Sequence, residues 1–165
     1  MSQREKAVPS FLKVEEGLQI GDFMPNIRIP NYDSLQLYDF ITDYLLVTTI
    51  STTCAPCLPA MEAIDALIHR HPSMNLIVFI DTEESAFEQA KEIFHPAARL
   101  YHATDDVLLG ELKTRGYPWA YGLNAEGQII TIEHAGSLEF WGKLMAPFKR
   151  FMEPEIALAL KEEQG

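Results

Sequence analysis

The sequence predicts an α/β domain built on one β-sheet covered by helices on both faces. Three observations carry that prediction. The apolar, β-rich run Leu45-Leu46-Val47-Thr48-Thr49-Ile50 passes within a few residues into a stretch with Met61, Ile64, Leu67 and Ile68 at helical spacing. A second strand-then-helix pattern follows over residues 75–80 and 83–94. The last third then changes character, with Asn124-Ala125-Glu126-Gly127 reading as a hairpin connection before a closing helical segment.

Each element follows from its residues. Positions 1–19 are mixed in character and read as a peripheral N-terminal segment, leaving 20–165 as a single domain. Gly21-Asp22-Phe23-Met24-Pro25 is a turn into a short strand over 26–30, and Asn31-Tyr32-Asp33-Ser34 turns the chain into Leu35-Gln36-Leu37. A short helix or turn occupies 38–43. Residues 44–51 form the strongest strand, whose near-continuous apolarity suits a central position covered on both faces. In the helix over 55–70, Pro56 fits the first turn and Pro59 introduces a bend near the start. The helix over 83–94 carries acids in its first half, where the macrodipole favours them. Residues 99–102 give a further strand and 105–114 a further helix. Gly116-Tyr117-Pro118 leads into a strand over 119–123, which the hairpin joins to 128–133. Helical periodicity returns over 138–152, with Trp141 and Phe148 as core residues and Pro147 as a kink, and 155–163 forms a final turn or helix.

Composition narrows the function. A length of 165 residues supports one packed core and is short for two, and 47% hydrophobic content excludes global disorder. The formal charge of −11 sets 24 acidic residues against 13 Lys plus Arg, with no basic cluster, which argues against a nucleic-acid partner. No dinucleotide-binding fingerprint is present, and no apolar run reaches membrane-spanning length. Residues 1–10 lack the apolar region of a signal peptide, so the chain as written reads as soluble; a targeting segment or anchor removed earlier would leave no trace.

The chemistry concentrates at Ser51-Thr52-Thr53-Cys54-Ala55-Pro56-Cys57, which holds both cysteines of the chain where a buried strand gives way to a helix. Thiols at that spacing can close an intramolecular disulfide, and a helix N-terminus favours the thiolate of the first. Thiol–disulfide exchange is the leading reading. Two thiolates also suit Cu(I), with His134 or another histidine completing a site; however, the histidines at 69, 71, 95, 102 and 134 show no ligand spacing beyond the weak His69/His71 pair. A third reading is a binding module that uses the same surface without turnover. A fourth is a peroxidase, since Ser51 precedes Cys54 by three residues, although Cys57 so close behind favours dithiol exchange. Ser51, Thr52 and Thr53 read as ordinary strand-end residues, the alternative being a hydrogen bond near the sulfur, and Glu62 is the nearest acid in the helix that follows.

These fragments, in this order, resemble the thioredoxin fold and, within it, the membrane-associated or secreted bacterial thiol–disulfide oxidoreductases of the TlpA/ResA-like group. The resemblance covers roughly residues 20–152: the Gly21–Pro25 turn, the strand before Cys54-Ala55-Pro56-Cys57, the helix after it, Arg115-Gly116-Tyr117-Pro118 and the Asn124–Gly127 turn. It implies a mixed central β-sheet, Cys54 as the attacking thiol and Cys57 as the resolving thiol. Pro118 would match a proline whose preceding peptide bond is cis, in a loop facing the cysteines. Thr53, Ala55, Pro56, Tyr117, Pro118 and Trp119 would support or contact substrate, with the backbone beside Tyr117 pairing with an extended segment. The implied partners are a protein or peptide thiol/disulfide substrate and an upstream redox partner, with no cofactor and no metal. The implied setting is extracytoplasmic, the alternative cytoplasmic. The chain departs from the pattern at Thr53, where Trp is common; at Thr48, where thioredoxin has a buried Asp; and at Ala60, where the group often has Glu. Pro59 and Trp119 are unusual too. These departures bear on proton transfer and on the partner more than on the exchange itself.

Overall fold

The computed structural model describes residues 17–152, so positions 1–16 and the final turn or helix at 155–163 lie outside the described residues. A five-stranded sheet forms the frame: β1 (Tyr44–Ser51), β2 (Leu76–Asp81), β3 (Leu100–His102), β4 (Trp119–Asn124) and β5 (Ile129–His134), in the order β3-β2-β1-β4-β5. β1, β2 and β3 pair in parallel, whereas β4 and β5 run antiparallel to their neighbours, making the sheet mixed. The helices are α1 (Cys57–Arg70), α2 (Glu84–Ile93) and α3 (Leu138–Met145). The expected sheet architecture is therefore present.

Alternation along the strands divides the core in two. On one face, Leu46, Ile50, Val78, Ile80 and Ala120 pack against Ile64 and Leu67 of α1, Phe87 of α2, and Trp141 and Leu144 of α3. On the other, Leu45, Val47, Ile77, Phe79, Tyr121 and Leu123 meet Leu18, Met24, Ile27, Ile29 and Leu37 with Leu108 and Leu112. Helical cover on that second face is limited to a 3-10 turn at Leu37–Phe40 and a π-helical segment at Asp106–Glu111, with irregular chain filling the rest. All eight residues of β1 are buried, as its unbroken apolarity requires.

Three expectations change in detail. The strand over 26–30 is reduced to an isolated bridge between Arg28 and Gln36, because Pro25 and Pro30 bracket it and cannot donate to a ladder. The helix over 105–114 is the shorter π-helical segment, closed by an i+5 bond from Leu112 N–H to the Val107 carbonyl and stopped by Lys113, whose φ of 66° is left-handed. Beyond α3, Ala146–Phe148 is a 3-10 turn around Pro147, whose missing N–H breaks the α-helical ladder where the kink is expected. Pro59 sits in the first turn of α1, where a backbone N–H would have no helical partner, so the one it lacks is not missed, and α1 runs as one helix through Arg70.

Gly127 fixes the β4–β5 hairpin against the N-terminal loops. Its φ is +86°, and a Cβ there would fall 2.4 Å from the Tyr38 ring. Tyr38 in turn donates its hydroxyl to the Met24 carbonyl at 2.6 Å.

Replacing Ile64, fully buried between α1 and the sheet, by alanine removes apolar contact and leaves a cavity. The expected loss is about 2–5 kcal/mol, read from urea unfolding as a lower midpoint with an unchanged slope.

Candidate active site

The parallel register pairs Ser51 with Asp81 at the carboxyl ends of β1 and β2, and the antiparallel register pairs Thr49 with Trp119 at the start of β4. The segment entering β4, Tyr117-Pro118, therefore arrives beside the end of β1. Three chain segments converge there by strand pairing alone.

β1 ends at Ser51 and the chain turns sharply: Thr52 N–H donates to the Asp81 carbonyl at 3.1 Å, and Cys54 N–H to the Ser51 carbonyl at 3.3 Å. Cys57 N–H then donates to the Cys54 carbonyl at 3.0 Å, winding the first turn. Pro56 occupies the N-cap position of α1 with φ −65°, a value its ring fixes in advance. Cys54 and Cys57 are joined in a disulfide with their Cα atoms 5.3 Å apart. Their surroundings differ: Cys57 is fully buried, whereas Cys54 is half-buried and its neighbours Thr53, Ala55 and Pro56 are exposed. An incoming sulfur can reach Cys54 and not Cys57. The buried Cys57 Sγ accepts the Ser51 N–H at 3.4 Å.

The Tyr117–Pro118 peptide bond is cis, with Pro118 buried and Tyr117 half-buried against both core clusters. Tyr117 also links to the cysteine turn through its phenol. Its hydroxyl donates to Asp105 Oδ1, and Asp105 stands close enough to Asp81 to act on its carboxyl. Asp81 Oδ2 accepts from Ser51 Oγ at 3.0 Å. Ser51 Oγ also pairs with Thr53 Oγ1 at 3.0 Å. Loss of hydration lifts the Asp81 carboxyl above the ordinary aspartate range; Ser51 opposes this, while Asp105 adds to it. Burial, then the bond to Asp105, pushes the Tyr117 phenol far above its usual value, so it remains a donor.

Asp81 and Asp105 are the site residues that sequence reasoning missed. Asp81 closes an apolar strand and becomes readable only once that strand is registered against β1. Asp105 lies in a connection whose path no local pattern gives. The departures noted in the sequence are filled by ordinary packing: Thr48 is fully buried and donates its hydroxyl to the Trp119 carbonyl at 2.9 Å, and Ala60 is buried in the core. The Trp119 ring sits against Arg115, 5.4 Å from the guanidinium carbon, and edge-on to His134 at 5.8 Å. His134 Nδ1 accepts the Gly136 N–H, and among the described residues no group of three or more His, Cys, Asp or Glu is placed to hold a metal. Arg115 donates to the Leu18 carbonyl at 2.9 Å, tying the N-terminal chain to this loop. Glu62 is exposed on α1.

The raised Asp81 carboxyl gives a signed pH dependence. A group protonated more readily in the folded state contributes stability that is complete below the unfolded carboxylate value and is lost as pH rises through the folded one. Asp81→Asn should flatten the fall in urea midpoint from about pH 4 upward. A fall in midpoint with pH that Asp81→Asn leaves unchanged would show that the Asp81 carboxyl is not raised in the folded protein.

No protein-family model and no curated protein matches the sequence. Solved structures do match in fold. A proposed protein disulfide isomerase from Bacteroides thetaiotaomicron superposes with a TM-score of 0.63 at 14% identity, over 84% of this chain and 94% of that one. The thioredoxin domain of a thiol-disulfide oxidoreductase from Bacteroides vulgatus gives 0.57 at 20% identity, over 81% and 98%. StoA from Bacillus subtilis gives 0.51 at 15%, over 68% and 86%. The chain has the thioredoxin-like fold, with its two cysteines joined where the central strand hands over to α1.

Proposed function

We propose that the protein is a thiol–disulfide oxidoreductase that works through Cys54 and Cys57, in the reductase direction on a protein or peptide disulfide. The observation that carries this reading is the asymmetry of the pair: one reachable sulfur, Cys54, bonded to one buried sulfur, Cys57, at the start of a helix. The likeness in fold to thiol–disulfide oxidoreductases supports it.

In the dithiol state the Cys54 thiolate attacks one sulfur of the partner disulfide, forming a mixed disulfide and expelling the partner's other sulfur as a thiolate that takes up a proton. Cys57, having given up its proton, attacks Cys54 Sγ. The second partner thiolate leaves, the partner has gained two electrons, and the protein holds the Cys54–Cys57 bond. A second, upstream dithiol reverses these steps and restores the pair. The N-terminus of α1 favours negative charge in this region. The Ser51 N–H supplies a donor to Cys57 Sγ, which helps that sulfur to leave as a thiolate when the bond is reopened. Thr53, Ala55 and Pro56 are exposed around Cys54, and the resemblance assigns substrate contact to them and to Tyr117, Pro118 and Trp119 on the loop entering β4. The resemblance to the TlpA/ResA-like group favours an extracytoplasmic setting; among the described residues no helix is long and apolar enough to cross a membrane.

Two measurements test the reading. Equilibration in a graded thiol/disulfide buffer should reveal one reversible two-electron couple, near about −270 mV for a reductase and near about −120 mV for an oxidant. Cys57→Ser should accumulate a mixed disulfide through Cys54 that wild type resolves, whereas Cys54→Ser should trap nothing. Absence of any reversible couple, or trapping through position 57 instead, would overturn the assignment.

A further inference from the structure

Leu58 and Met61 have two settings at once. They line the depression beside Cys54, together with Ser51, Thr52, Thr53 and Ala55. They also form one wall of an apolar groove of about 290 Å³ between α1 and α2, whose other wall is Ala90, Ile93 and Phe94. The two hollows therefore share a wall that begins at the reachable sulfur. The core-facing stripe of α1 is Ala60, Ala63, Ile64, Leu67 and Ile68, which leaves Leu58 off the buried face. Leu58 is 64% exposed and Ile93 on the opposite wall 77%, so two large aliphatic side chains flank the groove in water. The charged groups lining it are Glu62 and Asp65, both acidic, with no Lys or Arg among the lining residues; Asp65 already accepts the His95 N–H and faces His69, whereas Glu62 is exposed.

We propose that this groove docks the disulfide-bearing substrate: a polypeptide segment with an aliphatic or aromatic residue near its reacting cysteine and a Lys or Arg beyond it. The inference rests on the exchange reading above, because the position of Cys54 fixes where the segment must start. Met61 lies about one helical turn past Cys57, at 1.5 Å per residue. An extended chain advancing about 3.3 Å per residue enters the groove two to four positions from the cysteine it presents. Its apolar side chain covers Leu58, Met61 and Ile93, and the following cation meets the exposed Glu62. Seven residues line the groove, which fits a short segment, whereas a stable dimer interface takes about 20–30 residues a side.

The test uses the full chain in its dithiol state and two cystine peptides of equal length. One carries Leu or Phe two to four positions from the cysteine followed by Lys; the other carries Ser and Glu there. Hydroxyethyl disulfide, which has nothing to place in the groove, reports the sulfur chemistry. The apolar, basic peptide should be reduced with a kcat/KM at least about tenfold higher, the scale of burying one aliphatic side chain. Ile93→Glu should remove that preference, lowering turnover of the apolar peptide at least about tenfold more than turnover of hydroxyethyl disulfide. An unchanged urea midpoint would verify that the variant is folded. Equal rates on the two peptides, or a preference that survives both Ile93→Glu and Leu58→Glu, would overturn the proposal. So would a doubled mass in sedimentation that Ile93→Glu returns to monomer, since a second copy would then own the groove. If no disulfide is reduced at all, the exchange reading has failed, and calorimetry with the cysteine-to-serine form of the apolar peptide decides the groove separately. Binding that Ile93→Glu abolishes supports it; no binding overturns it.

Discussion

β1 is hydrogen-bonded along both edges and buried on both faces, and the site depends on how that strand ends. In a strand so placed, a shift of one residue sends every side chain to the opposite face and breaks the packing of both cores. Its pairing with β2 and β4 therefore fixes three things together: Ser51 beside Asp81, the cysteine turn directly after Ser51, and the Tyr117-Pro118 segment alongside. No long-range contact chosen by side chains is needed to bring the sulfurs and the proline loop together. The polar links among Ser51, Thr53, Asp81, Asp105 and Tyr117 then tie those segments to one another, after the sheet has already put them in reach.

The placement of acid in this protein follows from the cost of burying charge. At position 48, in the middle of β1, a carboxylate would need partners within a fully apolar sandwich, and an unpaired one there is expensive. Thr48 avoids this cost with a hydroxyl that one carbonyl satisfies. The carboxyls stand instead at the rim of the sheet, Asp81 partly buried and Asp105 exposed, where water and neighbouring hydroxyls share the solvation. Desolvation raises the Asp81 carboxyl there, so an acid more readily protonated than usual stands next to the cysteine turn although the buried position has none.

How far the sequence could be read depends on how local each signal is. The bounds of β1 follow from an unbroken apolar run, and α1 from the shift to helical spacing; both are properties of neighbouring residues. The 26–30 segment misleads because Ile27 and Ile29 carry a strand's alternation, yet their backbone bonds to Leu37 and Leu35 close only a single bridge before Pro25 and Pro30, which have no N–H to give, end the pairing. The 105–114 segment misleads for a related reason. Leu108 and Leu112 are four apart and both buried, as an α-helix would have them, yet the backbone accommodates them through a wider turn before Lys113 ends it. The cysteine pair is legible because its chemistry is carried by spacing, and Asp81 with Asp105 is not, because the fold alone brings the end of β2 beside the connection that follows β3.

The same distinction applies to α1 itself. Its inward stripe is what makes it a helix of this fold, and any apolar residue off that stripe is unexplained by folding. Leu58 is such a residue. Exposed leucines taken singly are ordinary, but Leu58 is one position past Cys57, shares a wall with the depression at Cys54, and faces a groove whose far side carries the still more exposed Ile93. Water gains nothing from covering these two side chains, whereas a chain held at Cys54 buries both as it passes. Stability accounts for the inward stripe, and substrate contact gives a physical reason for the apolar residues left outside it.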